Sequence, residues 1–127
     1  MKVKLDEIID ALEWVNADTQ AFLNTETGET VMWMDYGDND IDEEELENEK
    51  YIRLPDQFEI NEYHMMESFA YDRDERLVNA IKGSGAFRRF KDMAEEIGLI
   101  DDWYEFRDNC YRERAKEWCE SHGIELE

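Results

Sequence analysis

The sequence predicts an α+β fold in which an N-terminal helix and a β-hairpin pack on a C-terminal cluster of about four helices. Two observations carry this. Apolar and β-forming residues recur at strand spacing in "TQAFLNTETGETVMWM", whereas from Phe58 onward the spacing is helical. A third is punctuation, because Gly83, Gly98 and Gly123 fall where helical runs should stop. With 127 residues, 42% apolar and 13% aromatic, the chain can fill one core, so a single domain over 1–127 is expected.

Each element follows from its residues. In "LDEIIDALEW", Leu5, Ile8, Ile9 and Leu12 share one helical face. The hairpin turns at Thr25–Glu26–Thr27–Gly28, where Gly28 supplies a positive φ. "DYGDNDIDEEELENE" repels itself, so an acidic mobile connector, loop-like or a loosely held helix, is expected around 35–49. "KYIRLPD" reads as a short strand that Pro55 stops or confines to an edge. Four helical stretches follow, "EINEYHMMESFAY", "DERLVNAIKG", "GAFRRFKDMAEEIG" and "DDWYEFRDNCYRERAKEWCESHG", and the tail "IEL" can add a strand. Cys110 and Cys119 lie nine residues apart on the last helix, a rise of about 13 Å that no disulfide spans, so both are expected as packed thiols.

Charge narrows the partners. The formal net charge is −21, residues 1–50 hold three lysines against sixteen acids, and every arginine lies beyond residue 50. Such a field repels phosphate backbones and anionic lipid, so no direct nucleic-acid or membrane partner is expected, while a basic protein partner or a cation is favoured. No apolar run reaches the roughly 18 residues of a membrane span, and the N-terminus is amphipathic and acid-rich, which predicts a cytoplasmic protein.

Few constellations suggest chemistry. On a helical wheel centred on Trp103, the stripe of Phe106, Cys110, Tyr111 and Trp118 also contains Arg107 and Arg114. A guanidinium there needs a carboxylate, a carbonyl or an anion. Glu67 falls among Ile60, Tyr63, Ala70 and Tyr71 with His64 at the edge, so Glu67 is expected to pair with Arg107 or Arg114. That pairing is either an internal salt bridge or an anion pocket with Arg88, His64 and Glu67 and a wall of Trp103 or Trp118. "IKGSGAFRRFKDM" gathers Lys82, Arg88, Arg89 and Lys91 around two glycines, yet "GSGAFR" matches neither a Walker loop nor a dinucleotide loop. It reads as a helix start capped by Ser84 or Gly85, with Phe87, Phe90, Ala94 and Ile97 inward and Arg89 outward. Asp38, Asp40, Asp42 and Glu49 imitate a calcium loop, but Glu43 occupies the position that needs glycine. His64 and His122 form no metal pattern with the cysteines, and neither G-x-S-x-G nor H-E-x-x-H occurs. No cofactor or metal is called for, and no residue stands out as catalytic.

The stretches "YIRLPDQFEINEYHMMESFA", "AIKGSGAFRRFKD" and "GLIDDWYEFRDNCYRERAKEWCESHGIEL" resemble a family of uncharacterised bacterial proteins with a placeholder name. The N-terminal helix and hairpin fit the same pattern, and the acidic run resembles the family's variable stretch. The resemblance implies a small bacterial cytoplasmic protein and assigns no activity and no site residue. The leading expectation is a non-enzymatic adaptor or regulator that meets a basic protein through Asp38, Asp40, Asp42 and Glu44. The rival is a small-molecule or anion-binding protein, or an enzyme, that uses the arginine pocket.

Overall fold

A computed structural model of the chain describes residues 2–127. It is α+β, in the predicted order of N-terminal helix, hairpin and C-terminal helices. The chain forms two compact units, one of residues up to Ile60 together with Tyr111–Glu127, the other of Asn61–Cys110.

In the first unit, β1 (Lys2–Val3) leads into α1 (Leu5–Trp14), where Ile8, Ala11 and Leu12 are buried at helical spacing. The helix lies against the strands β2 (Thr19–Asn24) and β3 (Thr30–Met34). Ala21 and Leu23 alternate inward along β2. Gly28, at φ 79°, turns the hairpin as expected, and the Asn24 side chain accepts from the N–H groups of Glu26 and Thr27. After the short helix α2 (Glu43–Leu46) comes β4 (Tyr51–Arg53), on the other side of β2, so the sheet order is β3-β2-β4, antiparallel throughout. Helix α3 (Gln57–Ile60) starts with a reciprocal cap: Asp56 Oδ1 accepts from Glu59 N at 2.9 Å, and Glu59 Oε1 accepts from Asp56 N at 3.1 Å.

The second unit contains α4 (Glu62–Arg73), α5 (Glu75–Ala80), α6 (Ala86–Glu96) and the Ile100–Cys110 part of α7 (Ile100–Ser121). The remainder of α7 belongs to the first unit, where β5 (Glu125–Leu126) pairs in parallel with β1. Phe69, Phe90 and Trp103 are fully buried and meet edge to face, with Trp103 4.8 Å from Phe90 and 5.5 Å from Phe69 between ring centroids.

Several expectations need correction. The helix expected over 59–71 is broken at Asn61, which adopts φ 53° and ψ 65° and caps α4 by accepting from His64 N. The buried face of α4 is Met65, Met66, Phe69 and Ala70, since these bury apolar area with no polar atom to satisfy; Tyr63 and Tyr71 stay exposed. Phe87 is likewise exposed, and α6 turns Ala86, Phe90 and Ala94 inward. The strand β1 was not expected: two residues carry no periodicity, and it exists only through its pairing with β5. Gly83, Gly98 and Gly123 do take positive φ past helix ends. Cys110 and Cys119 are both thiols, and burial raises the pKa of Cys119.

Candidate functional site

Arg73, Arg89 and Arg107 are engaged by the protein itself. Arg89 is exposed, as expected from its outward position. Its guanidinium folds back over the α5–α6 turn, where Nε donates to the Ala80 carbonyl at 3.0 Å and the two terminal nitrogens donate to the carbonyls of Ser84 and Lys82. Three oxygens that α5 and its turn leave without helical donors are thereby satisfied by one fork. The glycines permit this, since Gly83 at φ 80° and Gly85 at φ 74° curl the chain around the group. Arg88 is 91% exposed and approaches only Asp92, one turn on, at 4.0 Å. Arg107 donates from Nε to Glu62 Oε1 at 2.7 Å, with both side chains mostly buried. Arg73 lies over the Phe69 ring at 3.9 Å.

Glu67, expected to hold an arginine, has His64 as its charged neighbour at 3.8 Å. Together with Ser68, Tyr71 and Asp72 they line a hollow of about 330 Å³ along one side of α4. The carboxylate that meets the part-buried Arg107 is Glu62, on the first turn of the same helix. Its five-residue offset from Glu67 turns it about 140° around the helix, so weighting the tyrosines as inward selected the wrong acid.

Arg114 and Trp118 do come together, in a hollow of about 260 Å³ with Pro55, Glu59, Glu117 and Ser121. Arg114 Nη1 is 3.7 Å from Glu117, while its Nε is buried and has no hydrogen-bond partner among the described residues. Two carboxylates line this hollow beside one guanidinium, an unfavourable field for an anion. Trp118 donates its indole N–H to the Arg53 carbonyl at 3.2 Å and packs near the ring of His122, which follows the end of α7. Trp103 is fully buried in the other unit and packs against rings instead of walling a hollow.

The run Asp35–Glu49 differs in kind. Every acid in it is exposed, and α2 contributes a turn of Glu43, Glu44 and Glu45. Glu45 meets Lys50 at 3.2 Å and raises its pKa. Among the described residues no other carboxylate of the run has a cation partner, and no His, Cys, Asp and Glu group is arranged to hold a metal. Tyr36, 82% exposed, stands within it. The run is pinned at its start by Asn39, whose amide donates to the Met34 carbonyl at 2.9 Å and accepts from the Met34 N–H at 2.8 Å. Sequence reasoning missed Asn39; an amide four to five residues past a strand end is the only trace of it in the sequence.

The fold and this surface define a small α+β protein with a strongly acidic, exposed segment beside a three-stranded sheet, and no described helix is long and apolar enough to cross a membrane. The chain belongs to the uncharacterised protein family UPF0158, whose family model matches residues 1–126. No curated protein and no solved structure matches it.

Proposed function

We propose that this chain is a binding protein of the bacterial cytoplasm, an adaptor or regulator that engages a basic protein partner through Asp38, Asp40, Asp42 and Glu44. The observation that carries the reading is the contrast in charge use. The acids of 35–49 are exposed, and among the described residues Glu45 alone of them is paired, with Lys50. Self-repulsion in such a run is relieved by a cationic surface, which also gains encounter rate from a field of this sign. Arg88, Arg107 and Arg114, the rival pocket's cations, are respectively exposed, paired with Glu62, and flanked by Glu59 and Glu117.

Native mass spectrometry of the protein purified at low salt from its own cells tests this. A basic polypeptide is expected on the wild type, lost as salt rises, and missing from the variant in which Asp38, Asp40, Asp42 and Glu44 become Asn and Gln. A wild type that flies bare, or a variant that keeps the polypeptide, contradicts the proposal.

A further inference from the structure

We infer that the outer edge of β3 receives an extended, lysine- or arginine-rich segment as an added strand. This rests on the basic-partner reading and specifies how such a partner docks. The register decides which groups are available. Asp35 N donates to Asp18 O at 2.9 Å and Asn24 N to Glu29 O at 2.9 Å, so Val31, Trp33 and Asp35 turn their backbone groups toward β2. Thr30, Met32 and Met34 turn theirs away. Met34 is already taken, because the Asn39 amide donates to it and accepts from it as a partner strand would. The outward N–H and C=O groups of Thr30 and Met32 have no partner among the described residues.

The opposite edge of the sheet is treated differently. On β4 the outward Arg53 carbonyl accepts from Trp118, the Tyr51 N–H donates to Asn48 O, and Pro55 follows the strand. Lys50 there is paired with Glu45, and Arg53 with Asp56 and Glu59, so the charges of that edge are already matched. The β3 edge lies between Glu29 at one end and Asp35, Asp38 and Asp40 at the other, all exposed. Charge therefore selects a basic strand at β3. In the register that sets Met32 opposite Met32 a second copy of this chain fits poorly, because Thr30 would face Met34, which Asn39 holds, and Glu29 would face Asp35, acid against acid. Main-chain bonds would supply affinity, and the flanking carboxylates the preference for lysine and arginine.

The test is an NMR titration of the isotope-labelled full chain with a peptide of alternating lysine and valine, beside the same peptide N-methylated at alternate residues. The two carry equal charge, and only the first can complete a ladder. The inference predicts that the unmodified peptide binds about tenfold more tightly and that the Thr30 and Met32 amides become protected from exchange. Met32→Pro, which removes an outward N–H and no ladder bond, should abolish that preference. Equal binding of both peptides without protection overturns strand addition while leaving the basic-partner reading intact. Protection that persists when Asp38, Asp40, Asp42 and Glu44 are neutralised keeps the edge and overturns the acidic reading. Protection that grows with protein concentration alone makes a second copy the occupant and overturns the inference, as does no binding of either peptide. These readouts on the wild type stand even if Met32→Pro does not fold.

Discussion

Between Ile81 and Met93 the chain places four cations in thirteen residues, and between Asp35 and Glu49 it places a run of acids. In the first stretch Arg89 binds the carbonyls of Ala80, Lys82 and Ser84, so a guanidinium completes the end of one helix and the turn into the next. In the second, exposed carboxylates meet solvent, and among the described residues Glu45 alone is paired. Charge close in sequence thus does two different jobs. Where the groups find backbone or counter-charge nearby they hold the fold, and where they find none they remain available to something outside it.

The comparison breaks first if the arginine-bearing unit does not depend on its ring cluster. Trp103→Ala should cost roughly 3–5 kcal/mol by urea denaturation, because a fully buried indole between Phe69 and Phe90 leaves a cavity. A loss near zero would mean that Trp103 is no anchor. Arg107→Met comes next, at about 1–2 kcal/mol, since it removes the guanidinium that donates to the Glu62 carboxylate; adding Glu62→Met should recover part of the loss in a double-mutant cycle. Arg89→Met should cost about 1 kcal/mol, whereas Arg88→Met, one residue away and 91% exposed, should stay within about 0.5 kcal/mol. Equal effects from the two would remove the distinction between an arginine that caps a turn and one that only faces water.

A smaller effect follows pH. Hydrogen bonds from Arg76 hold the Asp74 carboxyl at about 2, below its usual 3.8. The folded state binds this proton less readily than the unfolded chain, so the stabilisation is complete above 3.8 and is lost as pH falls toward about 2. Melting curves of wild type and Asp74→Asn should therefore converge on acidification through that window. Curves that stay parallel would show that Arg76 does not act through the charge.

Much of this was legible in the sequence. The residues of α1 share one apolar face, Gly28 marks the hairpin turn, and the helix-ending glycines take the conformation that their position requires. Arg107 inside an apolar stripe called for a carboxylate partner, which is Glu62 and not the expected Glu67. Its partner was not legible, because α4 carries acids on several faces and only packing decides that Met65, Met66 and Phe69 turn inward. The cap at Asp56 and Glu59 is written in the spacing D-x-x-E, ahead of the helical stretch that begins at Glu59. The role of Arg89 could not be read at all, since it depends on carbonyls that converge only once α5 has ended and the glycines have turned. The acidic run was visible from composition alone; the open strand edge beside it needed the register.

The most direct test of the contrast is chemical denaturation, at low salt, of the variant carrying Asp38→Asn, Asp40→Asn, Asp42→Asn and Glu44→Gln. If these carboxylates are not committed to the fold, relief of their mutual repulsion should leave stability equal to the wild type or above it. A loss of more than about 1 kcal/mol would mean that they hold the structure together, and would contradict the assignment of this segment to a partner.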